Sequence, residues 1–339
     1  MREVEGADTA AETQLKHFAF RRFLVKLRLL FAPPARRPVI RQLYSIKISN
    51  ASHSFASEAA FQPWISPSPS EVCQHGRLVS SSSWEDGRVW YLEWKGVKLY
   101  VKEGKDVDDG EAKITELART ATGLPIPRVY HFERQGEATF IYLEALPGKH
   151  FRSDPYDPLD RRGAGRAIRT DLTSALERLH RIRAPPGTRV GGFGPKPLAA
   201  LLAEADVAPS LGSTAELHAW LRADYLSTFP SPSAAAEYDT EIAPHLDDSS
   251  PLVLVHGDLR QYNLLVQNNR LSGIIDFGRA GWYPEWVEGF APALETWVGA
   301  DIPGIRIAEA VLGEDVIKSR REAWLGQAGQ GWQGKSAAQ

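Results

Sequence analysis

Apolar and polar positions along this chain change period several times, and the changes divide it into segments. From Glu12 to Phe31, Leu15, Phe18, Phe20, Phe23, Leu24, Leu27, Leu29 and Leu30 alternate with Lys16, Arg21, Arg22, Lys26 and Arg28. This is the pattern of a basic amphipathic helix, stopped by Pro33 and Pro34. It has two readings: a membrane-surface or partner-binding helix, with weak membrane-surface contact through residues 12–32, or a poorly ordered extension. The Ser/Pro stretch Pro67–Ser70 reads as a linker. Three short strand-like runs follow, Arg77–Ser80, Arg88–Trp94 and Val97–Glu103, with a turn at Lys95-Gly96, and predict an antiparallel meander. Asp109–Ala121 predicts a helix that ends before Gly123 and Pro125. Two further strands are expected over Pro127–Phe132 and Ala138–Glu144, around a turn at Gln135-Gly136.

Beyond Pro147-Gly148 the pattern lengthens, predicting helices over Leu159–Ile182, Thr214–Phe229 and Ala234–His245, with a short β element at Leu252–Val255. The expected division is an extension over 1–70, a small lobe over 71–146, a mainly helical lobe over 147–325 and a frayed tail over 326–339. Strands and one helix followed by helices make an α+β chain of two lobes. Nothing repeats at a fixed period, which excludes a solenoid.

The densest polar chemistry follows Leu252–Val255. His256, Asp258 and Asn263 stand ahead of the apolar run Leu264–Val266, then come Asn268-Asn269, the run Leu271–Ile275, and Asp276-Phe277-Gly278. Asn-Asn tolerates the positive φ of a tight hairpin turn. With that turn, Val266 should face Leu271 and Asn263 should lie opposite Ile274, placing Asp276 two residues past the partner of Asn263. An amide oxygen and a carboxylate so placed can converge on one small hard cation. Asp258, on the loop entering the hairpin, can reach the same crevice.

Composition narrows the function class. The net charge of -2 conceals ten Lys/Arg against four Asp/Glu in residues 1–50, leaving 30 against 38 in the rest. An acidic body argues against a nucleic-acid partner, because neutralising a phosphate backbone needs a basic face. Cys73 is the only cysteine, so no internal disulfide or multi-cysteine zinc site exists, and a reducing compartment is expected. No apolar run reaches the ~20 residues of a membrane span, and no secretory signal is evident at the start. The expected location is cytoplasmic.

His256-x-Asp258 with Asn263 and the downstream Ile275-Asp276-Phe277-Gly278 resembles the catalytic core shared by protein kinases and aminoglycoside phosphotransferases. His256-Gly257-Asp258-Leu259, with glycine where protein kinases carry arginine, is similar to the phosphotransferase branch. Gly281-Trp282-Tyr283-Pro284-Glu285-Trp286 resembles the tail of fungal members. The resemblance implies a protein-kinase-like two-lobed fold and transfer of the γ-phosphate of ATP to a hydroxyl of a small molecule, with Mg2+. It implies Asp258 as catalytic base, Asn263 and Asp276 as magnesium ligands, and His256 as a brace of the catalytic loop. Arg260 would either neutralise charge on the transferred group or face solvent. Lys102, ending an apolar strand, would grip the ATP phosphates, held by Glu111 with Glu116 as the alternative. Backbone groups of Glu144, Ala145 and Leu146 would meet adenine.

The chain departs from the pattern in one respect. Ser80–Gly87 stands where a glycine-rich phosphate loop would be, offering serine hydroxyls instead. A nucleotide-binding pseudokinase scaffold is therefore the second reading, and a protein kinase, lacking an Ala-Pro-Glu segment, the third. Other polar and aromatic residues have structural roles by expectation: His180 at a helix terminus or surface, Glu288 in an ion pair, and Asp247-Asp248 in solvent. Trp282, Tyr283, Trp286 and Trp297 would anchor a helix starting at Pro284.

Overall fold

The computed structural model describes residues 66–81, 87–105, 107, 109–151, 164–193, 210–228 and 231–289. The amphipathic segment 12–32, most of the serine loop, Leu159, Phe229, Trp297 and the tail 326–339 lie outside these residues.

The stretch expected as a linker instead opens a helix, α1 (Pro69–His75). Ser68 caps it: its hydroxyl accepts from the Glu71 amide, and the Glu71 carboxylate accepts from the Ser68 amide at 2.8 Å. This reciprocal box satisfies two donors that a helix start leaves unpaired. Val72 of α1 is fully buried against Leu92, Leu99, Val101, Phe140 and Tyr142 of the sheet that follows.

That sheet has five antiparallel strands in the order β1-β2-β3-β5-β4: β1 (Arg77–Ser81), β2 (Arg88–Trp94), β3 (Val97–Gly104), β4 (Val129–Gln135) and β5 (Ala138–Glu144). The β2–β3 turn has positive φ at both Lys95 and Gly96, the twist a two-residue hairpin requires. Side chains alternate across each strand, so Leu99 and Val101 face α1 while Lys102 joins Ile141, its cross-strand neighbour, on the opposite face. Over that face runs α2 (Asp109–Thr122), which buries Ala112 against Ile141 and Val129. Lys102 is therefore directed toward the helix that carries Glu111.

After β5 the chain crosses to the second lobe and pairs at once with the hairpin that follows Asn263. β6 (Lys149–His150) lies beside β9 (Leu264–Gln267), which pairs with β10 (Arg270–Ile274). A third small sheet sets β11 (Gly281–Pro284) between β7 (Gly191–Gly192) and β8 (Leu252–Val255). Around these pack α3 (Ala164–His180), α4 (Thr214–Thr228) and α5 (Pro232–Glu237). The helix expected over Ala234–His245 is broken: α5 gives way to a π turn at Tyr238–Ile242 and a 3-10 turn at Ala243–His245. Pro244 explains the last change, since proline cannot supply an interior helical amide. Pro284 likewise ends β11, and a 3-10 turn at Glu285–Gly289 replaces the expected helix. Trp282 and Tyr283 are buried, Trp282 against Phe193, so both are packing anchors.

One apolar cluster joins the lobes. Ile114, Ala118, Leu124 and Ile126 of the α2 region pack with Leu172 and Leu176 of α3 and with Leu264, Ile274 and Phe277 of the hairpin. Burial of such side chains contributes roughly 1.5–3 kcal/mol each, so α2 is held to the hairpin rather than merely beside it. The Ile274 amide extends the join by donating to the Pro125 carbonyl at 2.9 Å.

Candidate active site

The hairpin turn forms as the sequence predicts, with Asn268 and Asn269 at φ 54° and 62°. Val266 faces Leu271. The register then shifts between Leu271 and Gly273, so Ile274 lies opposite Leu264 and not opposite Asn263. Ser272 is the extra residue of a bulge, and its hydroxyl donates to the Pro147 carbonyl at 2.7 Å. The partner of Asn263 is Ile275, whose amide donates to the Asn263 carbonyl at 2.9 Å. Asp276 thus follows one residue beyond that partner, closer to Asn263 along the ladder than unbroken pairing would put it.

Asp276 has φ 67° and ψ 68°. A left-handed backbone at a non-glycine residue costs on the order of 1–2 kcal/mol and ends the strand abruptly. It leaves the side chain 44% exposed, with Oδ1 at 2.9 Å from Lys102 Nζ. Lys102 also reaches Glu111 Oε1 at 2.9 Å and Oε2 at 3.0 Å. One ammonium therefore bridges a helix carboxylate and a residue 174 positions away in the other lobe. Burial disfavours the Lys102 charge, but Glu111 and Asp276 outweigh it and raise the pKa. Lys102 in turn holds the Asp276 carboxyl below its usual range against the opposing effect of burial. Glu111 is the partner and Glu116 is not: Glu116 pairs with Arg119. Gly278 makes this approach possible, because a side chain there would press on the Glu111 carboxylate.

The loop ahead of the hairpin is fixed by His256, which is fully buried. Its Nδ1 accepts from the Asp258 amide at 3.2 Å, and Nε2 donates to the Ile275 carbonyl at 3.1 Å. The ring meets Phe277 edge-on at 4.6 Å. Asn263 Nδ2 donates to the Asp258 carbonyl at 2.8 Å and to its Oδ2 at 3.3 Å. Asp258 is left 14% exposed, with Arg260 Nε at 2.8 Å from Oδ1. Arg260 thus faces the carboxylate rather than bulk solvent alone.

Sequence reasoning missed Arg279, whose Nη1 stands 3.8 Å from Asp258 Oδ1. The tight turn Phe277–Arg279 brings it back toward the loop, and its place right after Asp276-Phe277-Gly278 was the available signal. His180 ends α3, the helix-terminus alternative, and is not at the surface: it sits between Glu285 and Glu288, at 3.3 Å from each. At the hinge, the Glu144 amide donates to Arg128 and the Ala145 amide to Lys98. A cavity of about 350 Å³ lined by Ser81, Gly87, Arg88, Glu103, Gly104, Lys105 and Ala138 lies at the outer end of the sheet and includes none of the residues gathered around Lys102.

A lysine held by a helix carboxylate, facing a hairpin that carries an aspartate and an asparagine, is an arrangement suited to phosphoryl transfer. A model described as a phosphotransferase enzyme family matches residues 86–322, more than half of the chain. The chain belongs to that family. Similar solved structures include aminoglycoside phosphotransferase APH(4)-Ia, 15% identical, covering 72% of this chain and 81% of that one with a TM-score of 0.48. The macrolide 2'-phosphotransferase MphH from Brachybacterium faecium is 16% identical over 74% of this chain and 82% of its own, with a TM-score of 0.45. The gentamicin complex of APH(2")-IIa is 17% identical over 75% and 81%, with a TM-score of 0.44. No curated protein matches. Family membership makes the chain a phosphotransferase, and among the described residues no helix is long and apolar enough to cross a membrane.

Proposed function

We propose that the chain transfers the γ-phosphate of ATP to a hydroxyl of a small molecule, with magnesium as the helper ion. The observation that carries this reading is the bridge of Lys102 to Glu111 and Asp276 across the cleft, beside the braced Asp258 loop.

The oxygen donors fit magnesium. Asp276 is kept ionised by Lys102, and with Asn263 Nδ2 engaged on Asp258 the amide oxygen is the group left to face a cation. Among the described residues no group of three His, Cys, Asp or Glu could hold a metal. Two protein oxygens completed by water and phosphate are typical of magnesium, which keeps much of its hydration. When bound, the ion would neutralise charge on the phosphate oxygens.

The remaining work falls to the chain. Lys102, positioned by Glu111, would hold the phosphates. Backbone groups of Glu144, Ala145 and Leu146 would meet adenine, the Glu144 and Ala145 amides themselves being held by Arg128 and Lys98. Asp258 would orient the acceptor hydroxyl and take its proton as the oxygen attacks phosphorus and the bond to ADP breaks. Arg260 and Arg279, both beside Asp258, would neutralise negative charge on the group in transit.

The test is phosphate transfer from labelled ATP to a panel of hydroxyl compounds. Asp258→Asn should lower turnover by about 10²–10⁴-fold while magnesium-ATP still raises the melting temperature. Transfer that persists in the variant contradicts the role of Asp258, and binding without any transfer by the native chain would favour a nucleotide-binding scaffold.

A further inference from the structure

The bulge at Ser272 joins the hinge to the hairpin that runs between Asn263 and Asp276. A bulged residue is left out of ladder pairing, so its side chain is free to serve another partner. The Ser272 hydroxyl donates to the Pro147 carbonyl at 2.7 Å, across 125 positions of chain. Next to it, Gly273 has no side chain and Leu146 fills the space: a Cβ at Gly273 would stand 2.9 Å from Leu265 Cδ1 and 3.0 Å from Leu146 Cδ1. Gly148, at φ 119°, brings the exit of the hinge equally close, since a Cβ there would collide with the Ser272 hydroxyl and lie 2.9 Å from the Val266 carbonyl oxygen. Beyond Gly148 the chain pairs Lys149 with Val266 and His150 with Leu265, and the Phe151 amide donates to the Leu264 carbonyl at 2.8 Å. Residues 146–151 are thus laid along β9 and the bulge. The hairpin itself is held from α3 by Asp171, whose carboxylate accepts from Arg270 Nε and Nη2 at 2.7 Å each and from the Leu271 amide at 3.1 Å.

We propose that Ser272 is a positioning residue for the nucleotide: its hydroxyl locks the exit of the hinge to the hairpin, so that the place of the base is set relative to the place of the phosphates. This rests on the reading of residues 144–146 as the adenine contact and of Asn263 and Asp276 as the metal seat. ATP spans both. Once one end of such a ligand is bound the other binds intramolecularly, at an effective concentration that falls if the two subsites shift against each other. Proline supplies no amide, so at Pro147 the backbone offers only its carbonyl, and Ser272 is the described group that takes it. Loss of one neutral hydrogen bond limits the expected effect to about two- to tenfold. That loss falls on a ligand that needs both ends and spares ligands that use one.

The experiment compares binding of magnesium-ATP, adenosine and magnesium tripolyphosphate to the full chain, by calorimetry with competition for the weaker ligands, in the native protein, Ser272→Ala and Ser272→Thr. Magnesium-ATP should bind Ser272→Ala about two- to tenfold more weakly, while adenosine and tripolyphosphate stay within about twofold of their native affinities. Ser272→Thr, which restores the hydroxyl, should recover the native affinity for magnesium-ATP. In steady-state release of phosphate with water as acceptor, KM for ATP should rise in Ser272→Ala by the same factor, with kcat within about twofold. Equal weakening of all the ligands is the mark of a generally loosened fold and overturns the proposal. So does unchanged affinity for magnesium-ATP in Ser272→Ala, or a Ser272→Thr protein that recovers nothing. Should Ser272→Ala not fold, Ser272→Cys, of similar size with a much weaker donor, gives the same comparison. Binding does not depend on transfer, so a native chain that moves no phosphate would refute the activity while the ligands still decide the role of Ser272. A native chain that binds magnesium-ATP no more tightly than adenosine or tripolyphosphate has no linked subsites, and that result refutes the coupling.

Discussion

Two cations in this molecule each stand between two carboxylates, and the settings could hardly differ more. Lys102 bridges Glu111 and Asp276 between the lobes, where Lys102 is 27% and Asp276 44% exposed while Glu111 is buried. His180 bridges Glu285 and Glu288 behind the Asp258 loop, with Glu288 sealed from water. A bridge open on one side can exchange that partner, since water compensates the half-exposed Asp276 when it is released. A sealed one cannot, because each released charge would remain desolvated. The first arrangement suits groups that must let go of each other to receive phosphate and metal. The second suits groups that must never move.

Substitutions at the two bridges should therefore fail differently. Lys102→Met is expected to lower kcat/KM for ATP by about 10²–10³-fold while the melting temperature moves by only about 3 °C or less, as enzyme kinetics and calorimetry would show. A large loss of stability with modest kinetic change would reverse the assignment. Glu288→Gln is expected to lower unfolding free energy by roughly 3 kcal/mol, read from denaturant titration, because two loop amides and His180 lose a buried anion together.

The smallest effect is in pH dependence, and its sign separates the bridges. The folded pKa of His180 is raised from 6.5 to about 9, so its contribution to stability is complete below pH 6.5 and is lost as pH rises through about 9. The folded pKa of Asp276 is lowered from 3.8, so its contribution is present above that value and fades as pH falls below it. Melting temperature followed across pH should decline at the alkaline end in the native protein and decline less in His180→Phe.

The Lys102–Glu111 pairing and an ion pair at Glu288 were legible in the sequence, whereas the Asp276 contact and the His180 partner were not, for a physical reason. Lys102 ends an alternating apolar strand, Glu111 opens the next helix, and Asp276 follows a hairpin whose Asn-Asn turn shows its own geometry. These are local patterns, and the fold needs only to bring their ends together. Glu288 and His180 are 108 residues apart and sit in segments whose spacing carries no signal of burial. A histidine at a helix end looks the same whether water or a carboxylate lies beyond it. The Ser272 bulge was hidden similarly, since alternation of side chains does not reveal an inserted residue, and it altered the partner of Asn263. The helix at Pro69–His75 was masked by the serines and prolines that cap and start it, which read equally well as a linker.

On the proposed reading, Asp276 and Asn263 seat a metal ion beside the phosphates that Lys102 holds. Calorimetric titration of ATP with and without magnesium, for the native chain and Asp276→Asn, tests it most directly. Magnesium should tighten ATP binding by about tenfold or more in the native protein and have little effect in the variant. An equal gain from magnesium in both proteins would contradict it.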